Sequence, residues 1–142
     1  MNILFFLTPK ANCTYLHEDD TLRQAMERME SSGFSALPIL KKDGVYCGTL
    51  TEGDLLWALK NLCVMDMKQT EAHTVMEIHH SWDNEPVSVS TNIEDLVMKA
   101  TDQNFVPVVD DRRAFIGLVT RRAIMRYCLK NFFVPVRKVA AG

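Results

Sequence analysis

The sequence predicts a mixed α/β (α+β) fold made of two pseudo-symmetric β-α-β-β-α units, packed sheet to sheet with helices outside. Three observations carry this. Gly48 and Gly117, Thr51 and Thr120, and Pro38 and Pro107 are each separated by 69 residues. The segments Ala-Leu-Pro-Ile-Leu (36–40) and Phe-Val-Pro-Val-Val (105–109) match in that same register. Between the anchors, apolar residues switch from helical to strand-like spacing in the same order in both halves. A period this long exceeds that of stacked solenoid repeats and points to two copies of one compact unit.

Each unit opens on a short extended stretch, residues 13–16 in the first and the alternating 86–90 in the second. A helix follows. Leu22, Ala25, Met26 and Met29 fall at i, i+3, i+4, i+7, with Asp20 or Thr21 as cap. Ile93, Leu96, Val97 and Ala100 repeat the spacing, capped by Thr91 or Asn92. Nine residues separate Met29 from Pro38 but only seven separate Ala100 from Pro107, so the second copy's helix ends sooner or shifts register. The apolar runs 36–40 and 105–109 read as buried strands. Turns at 41–44 and 110–113 lead to second strands over 45–50 and 114–119. Final helices are expected over about 54–64 and 123–131. Repeat one thus spans 1–66, a polar linker 67–84, and repeat two with a C-terminal tail 85–142. Neither unit is expected to close a core alone, so their sheets should pack together.

The 142 residues are 47% hydrophobic and 24% charged, with a net charge of −2. That is ordinary for a soluble domain and argues against sequence-independent nucleic-acid binding, which needs a basic surface. The only apolar run near the start, residues 3–7, is too short to span a membrane or act as a secretory signal. The chain therefore reads as cytoplasmic, with no membrane or nucleic-acid partner. Cys13, Cys47, Cys63 and Cys128 form no C-x-x-C pair, which favours buried thiols over zinc or disulfides. His73, His79 and His80 lack ligands at metal-binding spacing and read as surface residues. Met26, Met29, Met98 and Met125 lie on apolar helical patterns. Trp57 and Tyr127 either pack internally or belong to a helix face that pairs with a second molecule, and the tail 132–140 is apolar and broken by proline. No nucleophile elbow, phosphate-binding loop or metalloprotease motif is present, so no catalytic role is expected.

The phrase Gly-Thr-Leu-Thr-Glu-Gly-Asp-Leu-Leu (48–56) returns as Gly-Leu-Val-Thr-Arg-Arg-Ala-Ile-Met (117–125) with its charges reversed. In the first copy, Thr51 followed by Asp54 is close to a capping box, and the acids Glu52 and Asp54 suit the helix dipole. In the second, Arg121 and Arg122 oppose the dipole at about 0.3–1 kcal/mol each. A helix N-terminus with a threonine hydroxyl and two guanidinium groups is suited to a phosphate, each charge-assisted bond being worth about 1.5–3 kcal/mol. The alternative is that both arginines pair with surface acids such as Asp110 or Asp111.

Taken together, the tandem β-α-β-β-α order, Ala-Leu-Pro-Ile-Leu and the Gly-Thr-Leu-Thr-Glu-Gly-Asp turn resemble a pair of cystathionine β-synthase (CBS) domains, a Bateman module. The resemblance covers about residues 3–131 and implies two clefts that bind adenine nucleotides as regulatory ligands, with no required cofactor. By that resemblance, cleft A would use Asn12, Thr14, Phe34, Ser35 and Ala36 of unit one with Thr120, Arg121 and Arg122 of unit two. Cleft B would use Glu85, Pro86, Asn104 and Phe105 of unit two with Thr51 and Asp54 of unit one, Asp54 receiving the ribose hydroxyls. Ala123 stands where cleft A would have its ribose acceptor. The Thr-Arg-Arg turn resembles that of stand-alone bacterial CBS pairs, some of which bind cyclic di-AMP, a ligand without a free diol. The implied role is a regulatory module that modulates an unknown effector protein, itself a homodimer through its helices. The alternative is a ligand-free protein–protein interaction scaffold.

Overall fold

The computed structural model describes residues 2–78, 80 and 84–133, and two sheets organise them. The histidine at 79 and the tail beyond 133 lie outside the described residues. The first sheet has the order β2 (Leu16–His17), β3 (Ala36–Leu40), β4 (Tyr46–Thr51). The second has the order β1 (Thr8–Pro9), β7 (Phe115–Thr120), β6 (Phe105–Val109), β5 (Val87–Ser88). In both, a short strand, β2 or β5, runs parallel to its neighbour β3 or β6, and the hairpin partner, β4 or β7, runs antiparallel to it. The registers coincide. Ala36 faces Thr51 and Phe105 faces Thr120, and each hairpin carries an irregularity at the same place, Ile39/Leu40 and Val108/Val109. The turns correspond too: Gly44 at φ 88° has Arg113 at φ 66° as its counterpart. The Asp110 carboxylate holds the left-handed arginine turn by accepting from the amides of Arg112 and Ala114.

Four helices cover the sheets: α1 (Leu22–Ser32), α2 (Glu52–Asn61), α3 (Ile93–Asp102) and α4 (Arg121–Cys128). Each starts on a side-chain cap, a feature worth about 1 kcal/mol. Thr21 and Gln24 form a full capping box, as do Thr51 and Asp54; Asn92 caps α3 and Thr120 caps α4. The helices α2 and α4 begin two residues earlier than the sequence spacing suggests, because the threonine ends its strand and caps the helix at once. The shorter loop of unit two is also explained. Helix α1 has 11 residues and ends on Gly33 at φ 76°; α3 has 10 and passes directly into extended chain at Gln103.

Each unit has its own apolar cluster, contrary to the expectation that neither closes a core alone. Leu16, Leu22, Leu37, Ile39, Leu50 and Leu55 form the first, and Val75 from the linker joins them. Val87, Leu96, Val106, Val108, Val119 and Ile124 form the second. A smaller third cluster, Leu40, Tyr46, Val109 and Phe115, joins the units at their hairpins. There Phe115 donates its amide to Gly44, and Val45 bridges Ala114.

The N-terminus crosses between units. Ile3 and Phe6 are buried in the second cluster, and β1 pairs with β7, Thr8 opposite Leu118 and Pro9 opposite Gly117. The linker is ordered where described: a 3-10 segment, Met67–Ala72, lies on α1, and Arg23 pairs with Glu71 at 2.9 Å. His73 sits 3.3 Å from Glu77, and the His80 ring lies 2.9 Å from the Val75 carbonyl.

Candidate functional site

The two threonine turns are built alike. Glu52 donates its amide to the Ser35 carbonyl at 2.9 Å, and Arg121 donates to the Asn104 carbonyl at 3.0 Å. Each strand end is thereby clipped to the segment entering the central strand, which brings residues 34–36 and 103–105 beside the starts of α2 and α4. The backbone of β7 is packed so closely that a Cβ on Gly117 would lie 2.3 Å from the Thr8 carbonyl oxygen.

Between the units lies a hollow of about 120 Å³. It brings together Asn12, Thr14, Phe34 and Ala36 with Thr120, five of the eight residues assigned to cleft A. Thr8, Cys13, Leu37, Pro38 and Leu118 complete the wall, as does Phe105, which was assigned to cleft B. Burial raises the Cys13 thiol pKa, and the hydrogen bond from Leu118 only partly offsets this. Ser35 lies outside the hollow, in an adjoining open groove of about 440 Å³ that also touches Ala36. Thr51, Glu52, Asn104, Asp102 and Arg121 line that groove.

The two arginines part company. Arg121 Nε donates to the Ala100 carbonyl at 2.7 Å. Ala100 belongs to the last turn of α3, whose carbonyls lack helical partners, so this cation serves the negative end of a neighbouring helix. Arg122 is exposed and makes no hydrogen bond or ion pair among the described residues. Neither arginine pairs with Asp110 or Asp111 among the described residues.

The cleft B set is dispersed. Asp54 is 2% exposed, and its carboxylate accepts the Thr51 amide at 3.0 Å while Thr51 Oγ1 accepts the Asp54 amide. It also lines a separate hollow of about 430 Å³ with Trp57, Ala58 and the linker residues Glu77 and Ile78. Glu85 turns outward to Lys99 at 2.5 Å, a hydrogen bond and charge that hold its carboxyl below the usual range. Pro86 lies beside Asp95 and Lys99. Asp54 is consumed at the helix start because a capping box needs its carboxylate there.

Four buried residues that sequence reasoning passed over form a hydrogen-bonded set beside Glu85 and Phe105. Tyr46 donates its hydroxyl to the Asn84 carbonyl at 2.7 Å and lies 2.6 Å from Thr49 Oγ1. Asn84 Nδ2 donates to the Phe105 carbonyl at 3.0 Å, and Gln103 bonds the backbone of Glu85 and Phe105. A comparison of the two copies residue by residue could have found them. Nothing in the sequence marks Thr8 as a wall residue.

Comparison with known proteins places this geometry. The CBS domain family matches residues 7–61 and 71–130. The chain is 31% identical over 136 residues to Uncharacterized protein MJ1404 of Methanocaldococcus jannaschii; the match covers 94% of this chain but spans only 29% of that protein. The structure of Listeria monocytogenes CbpB in complex with c-di-AMP superposes with a TM-score of 0.79 at 21% identity, covering 90% of this chain and 95% of that one. CBSX2 in complex with AMP gives 0.71 at 25% identity, covering 91% and 96%; CBSX2 is from Arabidopsis thaliana. With both repeats matched and the tandem fold shared, the chain belongs to the CBS domain family, as a pair of CBS domains.

Proposed function

We propose that the chain is a regulatory module that binds an adenine nucleotide in cleft A and, by doing so, modulates a partner protein. The observation that carries this is the hollow between the units, with Phe34 and Ala36 on one wall and the Thr120 cap of α4 on the other. A base enters the hollow, where Cys13, Pro38 and Leu118 supply an apolar lining and Asn12 and Thr14 supply polar atoms. At about 120 Å³ the hollow is smaller than the roughly 300–1,000 Å³ of ordinary ligand sites. The rest of the ligand therefore extends into the adjoining groove, past the start of α4. There the start of α4 meets a phosphate, which exposed Arg122 of the same first turn, lining neither the hollow nor the groove, reaches from outside.

The charges favour a ligand of low charge. Arg121 is already engaged with Ala100, while Glu52 and Asp102 line the groove. A phosphodiester, with one negative charge per phosphate, suits this better than a triphosphate, and Ala123 offers no carboxylate for a free ribose diol. Structures of the fold-mates CbpB and CBSX2 as complexes with c-di-AMP and AMP support an adenine ligand. Ligand binding changes the angle between units, or the surface of a homodimer, only to the extent that it prefers one form over the other.

Calorimetric titration with AMP, ATP and cyclic di-AMP tests this. Binding by at least one of them, weakened about tenfold or more in Arg122→Ala, is expected, since one charge-assisted bond is worth about 1.5–3 kcal/mol. No heat and no thermal stabilisation with any of the three at millimolar concentration overturns it. The engagement of Arg121 in a structural contact favours one other reading, a scaffold that works without ligand. Partner binding that ignores nucleotides but fails in Arg122→Ala would support that instead.

A further inference from the structure

The two clefts are related by the repeat, so their walls can be compared position by position. Downstream of the first helices the units align at an offset of 69 residues, as Ala36 with Phe105 and Thr51 with Thr120. Upstream the offset is 71, because α1 begins at Leu22 and α3 at Ile93, and Leu16 and Val87 hold equivalent places in their sheets. Cys13 therefore corresponds to Asn84, Phe34 to Gln103, and Leu118 to Thr49.

In cleft A these positions carry a thiol, an aromatic ring and a leucine, and they line the hollow. In cleft B they carry an amide, a second amide and a hydroxyl, all buried: Asn84 at 2% exposed, Gln103 at 8% and Thr49 at 0%. Phe34, the counterpart of Gln103, is 56% exposed. The polar set is bonded to itself and to the backbone across the units. Tyr46 has one hydroxyl hydrogen, which goes to the Asn84 carbonyl, so Thr49 donates to Tyr46. Asn84 Nδ2 and Gln103 Nε2 both reach the Phe105 carbonyl, and Gln103 Oε1 accepts the Glu85 amide at 3.0 Å. A base entering here would have to break these bonds and leave buried polar groups unpaired.

Resting on the reading that cleft A takes the ligand, we infer that Tyr46, Thr49, Asn84 and Gln103 form an internal lock that fills the pseudo-symmetric cleft, so that each chain accepts one nucleotide and not two. Tyr46 also ties unit one to the Asn84 backbone on that side, as the pairing of β1 with β7 ties the cleft A side. The groove over Asn84 is polar, edged by Glu52, and adjoins the cleft A hollow at Ala36, so it belongs to the path of the cleft A ligand.

Two measurements test the lock, one without any ligand. Thr49→Cys and Leu118→Cys place a thiol at equivalent positions of the two clefts, and labelling with methyl methanethiosulfonate is followed by peptide mass spectrometry. The cysteine at 118 should react about 100-fold faster, because the one at 49 waits for local opening. Equal rates overturn the lock. Should Thr49→Cys not fold, hydrogen exchange of the unsubstituted chain decides. The Glu85 amide should exchange about 100-fold more slowly than in a free peptide, and exchange at the free-peptide rate overturns the lock. In the second measurement, calorimetry with whichever of AMP, ATP and cyclic di-AMP binds should saturate at one ligand per chain, and two per chain overturns the lock. If none of the three binds, the nucleotide reading falls while the labelling and exchange results still decide the lock.

Discussion

Replacing Gly117 with alanine isolates the contribution of the N-terminal segment to the candidate site. The new Cβ would lie 2.3 Å from the Thr8 carbonyl oxygen, 2.9 Å from Leu7 Cδ1 and 3.1 Å from Leu7 Cγ. The first of these is backbone and has no rotamer to turn away into. Gly117 also sits at φ 156°, a conformation that costs a residue with a Cβ about 1–3 kcal/mol. Overpacking against β1 adds about 1–3 kcal/mol. The segment is held mainly by Ile3 and Phe6, whose burial contributes about 1.5–3 kcal/mol each. Ordering the seven residues 3–9 costs roughly 1–2 kcal/mol each, more than those two side chains return by themselves, so the segment's net docking energy is small. The clash is thus comparable with the net docking energy, and β1 should be released rather than β7 deformed. Urea unfolding should show a loss of about 2–6 kcal/mol. In a chain lacking residues 2–9 the same substitution should cost only its backbone strain, leaving a coupling energy of about 1–3 kcal/mol in the double-mutant cycle. Hydrogen exchange should report faster exchange at residues 3–8, and ligand affinity should fall because Thr8 is a wall of the hollow. A coupling below about 0.5 kcal/mol, with the segment still protected, would refute the reasoning.

Three further outcomes follow from the turns and the thiols. Arg121→Ala should cost about 1 kcal/mol in urea unfolding through its lost bond to Ala100, whereas Arg122→Ala should lie within about 0.5 kcal/mol of zero, on the stabilising side, because it removes a cation opposed to the α4 dipole. Asp54→Ala should cost about 1–3 kcal/mol, since it removes a buried carboxylate that closes a capping box, and Asp54→Asn should cost less. Iodoacetamide at mildly alkaline pH should modify exposed Cys63 well before Cys13. Folding raises the Cys13 pKa above its ordinary 9.0, so its contribution to stability is full below that pH and is lost as pH rises past it. Equal alkylation rates would contradict the buried placement.

The sequence was most legible where both copies kept the same physical demand. The strands 36–40 and 105–109 and the threonine caps survive duplication because each must fill the same interior and start the same helix, so a fixed offset exposes them. It was least legible at β1, a two-residue strand containing a proline. That strand exists because β7 offers an edge and Gly117 lets it approach, and neither is a property of residues 8 and 9 themselves. The composition of cleft B was hidden for another reason. The change of offset between the helices and the central strands breaks the alignment of Cys13 with Asn84, so the substitution of an apolar wall by a polar one goes unseen when only the anchors are matched. The arginines show a third limit. Their spacing reveals two cations at a helix start, but only the fold brings the last turn of α3 within reach of one of them.

That division of labour bears on why the duplicated phrase diverged. In unit one the turn is self-sufficient: Thr51 and Asp54 satisfy each other's amides, and the acids at Glu52 and Asp54 already complement the α2 dipole. An anion gains little there, and on the inference above Tyr46, Thr49, Asn84 and Gln103 keep a base from entering beside it. In unit two the reciprocal half of the box is missing, since Ala123 carries no acceptor, and the first turn holds no acid. With Arg121 drawn to Ala100, the cation at 122 is left at the positive end of a helix, a net cost of about 0.3–1 kcal/mol. That cost sits beside the cleft whose wall is apolar and whose aromatic rim residue is exposed. On the proposed reading, the polar groups of one cleft are spent on the protein itself and those of the other are held at some expense for a nucleotide, so that two copies of one unit have taken opposite solutions to the same geometry.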